Sequence, residues 1–413
     1  MPKFEAPRGT QDILPAQQPL WDRVIGDAER LCGAYGYRRI TTPIFEETEL
    51  FARTSGAGSD VVQKEMYTFT DRGDRSLTLR PEATASVARA YIEHGLHREP
   101  QPVKTYSIGP NYRYSAPQRG KFREFWQLNI EALGSDDPAI DAEIIQLFDE
   151  LLRSLGIQGA WLELNSIGDR NCRPAYLERL NAWLDEHAAE LDEETLAKRA
   201  TSPLRVFDNL PQKSEAVQRA LAEAPKIGES LCEECQAHFD AVRRYLDAYG
   251  VAYRLVPTLV RGLDYYTRTT FEFMAEALGA QLSLAGGGRY DYLVEEIGGP
   301  PTPAVGIASG IERLVLSLQQ QGVEADKPAI DVFFAVEDNG ARPDVLAALA
   351  ELRRRGRAAD TDYAGRSLKG QLTQAGRLGA GVTVIVRADG ATLRRSGKED
   401  EEFTSLAEAV QSL

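Results

Sequence analysis

Apolar and polar positions alternate with a period of two in FREFWQLNIEALG (122–134), and RRITTPIFEE (38–47), SLTLRPE (76–82) and VKTYSIGPNYRY (103–114) are likewise β-rich. That rhythm predicts half-buried strands. A helical rhythm governs ASVARAYIEH (85–94) and PAIDAEIIQLFDELLRSLG (138–156). Strands follow one another with little helix between them, so this first block predicts an α+β fold, an antiparallel sheet with helices packed on it. The block runs to residue 322, in two parts (1–169 and 252–322) separated by a charged, helical stretch over 170–251 that reads as an insertion. After a linker at 323–329, residues 330–413 alternate strand (IDVFFAVE), helix (PDVLAALAELRRRG), strand (RAADTDY), helix (SLKGQLTQAGRLGA) and strand (GVTVIVRA). This alternation predicts a small α/β domain with a largely parallel sheet.

Patterning also singles out polar rows. The loop SAPQRGK (115–121) joins two strand-like runs into a long hairpin. Side chains on a strand alternate between faces, so Gln127, Asn129 and Glu131 share one face, and Arg113 at the end of the partner strand can reach it. Such a row lines either solvent or a pocket. In TLRPEATASVARAY, Glu82, Ala83 and Thr84 sit where a strand gives way to a helix. There a carboxylate either serves the helix N-terminus or grips an ammonium group. LVRGLDYYTRTTFEF places Arg261 beside Asp264, Tyr265 and Tyr266. In AGGGRYDYL, glycines 286 to 288 allow a ligand close to the backbone, with Arg289 next. VGIASGIERL puts Arg313 in the first turns of an apolar helix.

With 413 residues, 43% apolar and 27% charged, the chain is an ordinary globular sequence of two or three domains. No apolar run approaches the roughly 18 residues of a membrane span, and MPKFEAPRGTQD lacks a signal core, so a cytoplasmic enzyme with no membrane contact is expected. A net charge of −14 disfavours nucleic acid as a partner overall, yet eleven Lys and Arg stand against five Asp and Glu between Arg342 and Arg395. That local excess is either a solvated face or an RNA footprint. Four cysteines exclude a disulfide scaffold. Cys32 and Cys172 stand alone in sequence. Cys232 and Cys235, with His238 beyond them, are half of a zinc pattern, but no second pair follows, so no metal is expected.

Together these stretches resemble histidyl-tRNA synthetases, class II aminoacyl-tRNA synthetases, over nearly the whole chain. PRGTQDILP is similar to the family's opening run, and TLRPEATASVARAY to its strand–helix junction. YRYSAPQRGKFREFWQLNIEALG resembles motif 2, LVRGLDYYTRTTFEF and AGGGRYDYL the two histidine-specific motifs, and VGIASGIERL motif 3. GRSLKGQLTQAGRLGA resembles part of the anticodon-binding domain. The resemblance implies a ligase that activates L-histidine with ATP and Mg²⁺ and loads it onto tRNA(His), working as a homodimer. It implies histidine contacts at Glu82, Ala83, Thr84, Gln127, Glu131, Arg261, Tyr265 and Tyr266. ATP contacts are implied at Arg113, Arg313, Gly287, Gly288 and Arg289, with Arg113 and Arg261 catalytic at the α-phosphate. Three departures stand out. Ser115 and Ala116 replace a motif 2 segment that usually carries glutamate at the first position. Trp126 stands where histidine is common. The tail IVRADGATLRRSGKEDEEF is shorter than usual. Two rivals are a synthetase-like regulatory subunit of ATP phosphoribosyltransferase and a class II synthetase for another amino acid.

Overall fold

The computed structural model describes residues 4–54, 61–116, 120–208, 210, 213–276, 282–324 and 329–413. It divides into two compact units: Met1–Asp12 with Trp21–Glu324, and Ile13–Leu20 with Ala325–Leu413.

The first unit holds α1 (Gln18–Ala34) from Trp21 onward, then β1 (Arg38–Arg39), β2 (Phe45–Glu47), α2 (Thr48–Thr54), β3 (Tyr67–Thr70), β4 (Ser76–Leu79) and α3 (Thr84–Glu93). Then come β5 (Val103–Tyr112), β6 (Glu124–Leu133), α4 (Pro138–Leu155) and β7 (Ala160–Ser166). The charged stretch follows as α5 (Arg173–Glu186), α6 (Glu193–Thr201), α7 (Glu215–Glu223) and α8 (Glu233–Tyr249). The unit closes with β8 (Tyr253–Leu255), β9 (Thr267–Ala275), β10 (Leu282–Arg289), α9 (Leu293–Glu296), β11 (Ala304–Gly310) and α10 (Ile311–Gln320).

Eight of these strands form one sheet in the order β1-β5-β6-β11-β10-β9-β7-β8, antiparallel except where β1 joins β5 and β8 joins β7 at the edges. The chain on either side of the insertion therefore builds a single sheet, and β6 pairs with β11 across more than 170 residues of sequence. The hairpin β5–β6 is long, ten residues in each strand, with Thr105 opposite Glu131 and Gly109 opposite Gln127. β2, β4 and β3 make a small separate sheet.

Local signals set the helix ends. Asp137 caps α4 by accepting from the Ala139 N–H, Pro138 opens the helix, and Gly156 at φ +79° closes it. The apolar face of α4, from Ile144 to Leu155, is wholly buried. The insertion has its own apolar cluster, built on Tyr176, Leu180, Leu184, Val206, Phe207 and Leu221. That is how so charged a stretch holds a fold.

The second unit contains β12 (Val332–Val336), α11 (Arg342–Arg354), β13 (Ala359–Thr361), α12 (Leu368–Arg377), β14 (Val382–Arg387), β15 (Gly390–Arg395), β16 (Glu401–Phe403) and α13 (Leu406–Gln411). Its strand order is β13-β12-β14-β15-β16. The three strands read from the pattern are parallel. The atypical tail adds an antiparallel pair, so the sheet is mixed. Part of the expected linker (325–328) and of the motif 2 loop (117–119) lies outside the described residues.

Candidate active site

Of the polar row of β6, Gln127 and Glu131 line a cavity of about 200 Å³, and Asn129 between them is buried without lining it. Glu131 is buried, 1% exposed. One carboxylate oxygen accepts from Thr84 Oγ1 at 2.7 Å, the other from the Tyr290 hydroxyl at 2.5 Å. Opposite it on β11 stands Gly306, and a Cβ built there would lie 1.7 Å from Glu131 Oε2. The carboxylate fits only because this residue has no side chain. On the same face of β6, Gln127 Oε1 accepts from Asn111 Nδ2 at 2.8 Å.

At the strand–helix junction both readings of Glu82 hold. Its carboxylate accepts from the N–H groups of Thr84 and Ala85 at 2.7 and 3.0 Å, serving the start of α3. It also lines the cavity, as do Thr84, Tyr265 and Tyr266. Ala83 is buried at the N-cap of α3 and is not among the lining residues.

Three arginines from distant segments converge on this cavity. Arg113, just beyond β5, donates Nε to the Pro81 carbonyl at 2.8 Å and lies 5.5 Å from the Phe125 ring centroid. Arg261, in the loop before β9, pairs with Glu272 at 2.9 Å. It rests on Gly286, where a Cβ would come within 2.1 Å of its guanidinium. Arg313, in the first turn of α10, donates to the carbonyls of Ser283 and Gly120. Guanidinium groups held by backbone and carboxylate partners are pre-organised for oxyanions.

Arg289 is not part of this arrangement, and the expectation of an ATP contact there is corrected. Its side chain is 0% exposed, turned to the opposite face of the sheet, and paired with Asp141 at 3.0 Å and Asp291 at 2.9 Å. Gly287 and Gly288 are likewise tied to neighbouring strands: added Cβ atoms would meet the Gly306 carbonyl at 2.2 Å and the Thr269 carbonyl at 2.6 Å. Of the glycine run, only Gly286 lines the cavity. The sequence reading missed Tyr290, Phe125, Glu272 and Glu312, all lining residues. All four lie within the motifs that carry the family resemblance, but only the fold turns them inward. Ser115 also lines the cavity, with its hydroxyl buried and unpartnered. Trp126 packs edge-on against Trp21 at 6.5 Å instead.

Burial dominates the electrostatics. It pushes the Glu131 carboxyl up to about 8 and that of Glu312 up to about 7, and it raises Glu82 despite helpful backbone N–H groups. A carboxyl raised in the folded state favours folding below its unfolded value and loses that contribution as pH rises through the folded value. The ligand-free protein is therefore expected to lose stability between about pH 5 and pH 8, by up to about 1.4 kcal/mol per pH unit for each such group. Thermal melts across that range should show a smaller loss in Glu131→Gln. An identical pH slope in both proteins would refute the assignment of the effect to Glu131.

An antiparallel sheet flanked by helices, with a buried carboxylate and three arginines over one cavity, is the class II synthetase architecture. Residues 9–314 match the family model described as histidyl-tRNA synthetase. A histidine–tRNA ligase of Desulforamulus reducens is 46% identical, with 98% of this chain and 97% of that one covered. The apo histidyl-tRNA synthetase of S. aureus superposes with a TM-score of 0.83 at 37% identity, covering 99% of both chains. A Bacillus halodurans chain titled as an ATP phosphoribosyltransferase regulatory subunit/histidyl-tRNA synthetase shares the fold alone, at 23% identity and a TM-score of 0.66. The chain belongs to the histidyl-tRNA synthetase family.

Proposed function

We propose that this chain is a histidine–tRNA ligase: it activates L-histidine with ATP, forming histidyl-adenylate and pyrophosphate, then transfers histidine to the 3′ end of tRNA(His). The observation that carries this reading is the convergence of Arg113, Arg261 and Arg313 over a cavity floored by Glu131. In the first step a carboxylate oxygen of histidine bonds to the α-phosphorus of ATP, and the bond from that phosphorus to the bridging oxygen of pyrophosphate breaks. Two anions must meet, so charge neutralisation and positioning dominate. Arg261 lies between amino acid and α-phosphate, Arg113 holds the α-phosphate, and Arg313 holds the γ-phosphate. Phe125 offers an aromatic face for adenine. Glu131, with Thr84 and Tyr290, meets the imidazole, while Glu82, Gln127, Tyr265 and Tyr266 enclose the rest of histidine.

Mg²⁺ bound with ATP would offset phosphate charge. Glu312 fits such a hard cation, since its Oε2 is buried on the cavity with no hydrogen-bond partner. At the far end of the tRNA, Tyr363 in the C-terminal unit is 61% exposed, with Arg342 stacked 5.8 Å from its ring centroid. Such an aromatic suits an unstacked anticodon base. No described helix is long and apolar enough to cross a membrane. The family resemblance carries the readings of a homodimer and of a cytoplasmic location, and 1–169 with 252–322, 170–251 and 330–413 as catalytic core, insertion and anticodon-binding domain.

The test is ATP–pyrophosphate exchange with each amino acid in turn, followed by charging of tRNA(His). Exchange should require histidine. Folded protein without exchange would favour the regulatory rival, and exchange with another amino acid would favour a different specificity.

A further inference from the structure

The insertion leaves the core after β7 and returns to it after α8. Near both of its ends, cysteines stand at helix N-termini. Cys172 is the N-cap residue of α5, Cys232 is the N-cap residue of α8, and Cys235 lies in the first turn of α8. Asp169 precedes Cys172 by three residues, just as Cys232 precedes Cys235. These four side chains meet: their ligand atoms all lie within 4.8 Å of one another. The second pair missing from the sequence pattern thus exists, upstream across the insertion, and Cys172 is not isolated. His238, which follows the C-x-x-C, is not part of the group; it pairs with Asp141 at 3.3 Å.

Distances decide what this cluster suits. Tetrahedral zinc with bonds of about 2.3 Å to sulfur and about 2.1 Å to oxygen needs sulfurs about 3.8 Å apart and sulfur–oxygen edges of about 3.6 Å. Cys172 Sγ and Cys235 Sγ are 3.8 Å apart, and Cys172 Sγ lies 3.6 Å from Asp169 Oδ1. The cluster also has the outer partners that orient ligands at a metal site. The Asp169 N–H points to Cys172 Sγ at 3.3 Å, and the Asn171 N–H donates to Asp169 Oδ1 at 2.9 Å. Arg268 sits 3.6 Å from Asp169 Oδ2. Gly168, at φ +60°, lets the backbone pass so close that a Cβ there would be 2.5 Å from Cys172 Sγ. Asp169, Cys172 and Cys235 are buried and Cys232 is half-buried, so the site is closed, with no open position for a substrate. The N-termini of α5 and α8 would offset the excess negative charge of three thiolates and a carboxylate around one divalent cation.

We propose that Asp169, Cys172, Cys232 and Cys235 form a structural zinc site that staples the two ends of the helical insertion to each other. Zinc is measured by elemental analysis on full-length protein purified under reducing conditions from zinc-supplemented medium. The expected content is about one zinc per chain. Exchange of the metal for cobalt(II) should give the visible absorption of tetrahedral cobalt–thiolate. Cys172→Ser/Cys235→Ser should lose the metal and melt at lower temperature, whereas Cys32→Ser, at a cysteine remote from the cluster, should keep it. Cobalt titration of the wild-type protein tests the site even if the double variant fails to fold. Protein with all four thiols titratable, no zinc and no cobalt–thiolate absorption would overturn the proposal. So would a Cys172–Cys235 disulfide in the reduced preparation, or zinc retained by the folded double variant.

Discussion

Arg261→Ala is expected to lower kcat/KM for histidine-dependent ATP–pyrophosphate exchange by about 100- to 1,000-fold, the loss seen when one pre-organised donor to a developing oxyanion is removed. Arg261 is held in place by its pair with Glu272 at 2.9 Å and by its seat on Gly286. Little reorganisation is then needed when carboxylate and phosphate arrive. Arg261→Lys should recover only part of the loss, because an ammonium group cannot bridge two oxyanions with a planar fork. Since Arg261→Ala also leaves Glu272 without its counter-ion, rates are compared where circular dichroism shows the variant folded. A folded Arg261→Ala protein with exchange within about threefold of wild type would contradict the role, because one donor there is worth far more.

The second large effect is expected from a single methyl group. In Gly306→Ala the new Cβ would fall 1.7 Å from Glu131 Oε2 and 3.0 Å from the Ile130 carbonyl. Both strands are central to the sheet, so the carboxylate must move instead. Moving it breaks the bond from Tyr290 and leaves the imidazole partner misplaced. Displacing such a hydrogen-bonded buried carboxyl group costs about 3 kcal/mol, roughly a 100-fold loss in kcat/KM for histidine. KM for ATP should change much less. If Gly306→Ala keeps histidine KM near the wild-type value, Glu131 is not the residue that reads the side chain.

Much of this site was legible because its chemistry is carried by alternation along strands. Gln127, Asn129 and Glu131 point one way on any regular β6, and the hairpin with β5 fixes where Arg113 ends. The same rule, applied residue by residue, would have corrected the glycine run. Gly286 and Arg289 are three apart on β10, so they face opposite sides, one against Arg261 and the other against Asp141 beneath the sheet. The family resemblance, which implies ATP contacts at Gly287, Gly288 and Arg289 alike, does not separate the two faces. Tyr290 could not be placed from sequence, since its hydroxyl reaches Glu131 across 159 positions. Cys172 and Cys235 meet across 63 positions only because the insertion folds back on itself, which puts the partners of the C-x-x-C upstream of it rather than downstream. In the C-terminal unit the basic excess is largely offset by carboxylates outside the basic stretch, in ion pairs such as Arg394–Asp400 and Arg395–Glu401, which composition does not reveal.

The central claim is that an amino acid's carboxylate is pressed against a nucleotide's α-phosphate beneath Arg113, Arg261 and Arg313. A crystal structure with histidine and a non-hydrolysable ATP analogue tests it most directly. The account predicts the imidazole within hydrogen-bond distance of Glu131 and the Arg261 guanidinium touching both the carboxylate and the α-phosphate. Histidine bound away from Glu131, or phosphates held outside the three arginines, would contradict it.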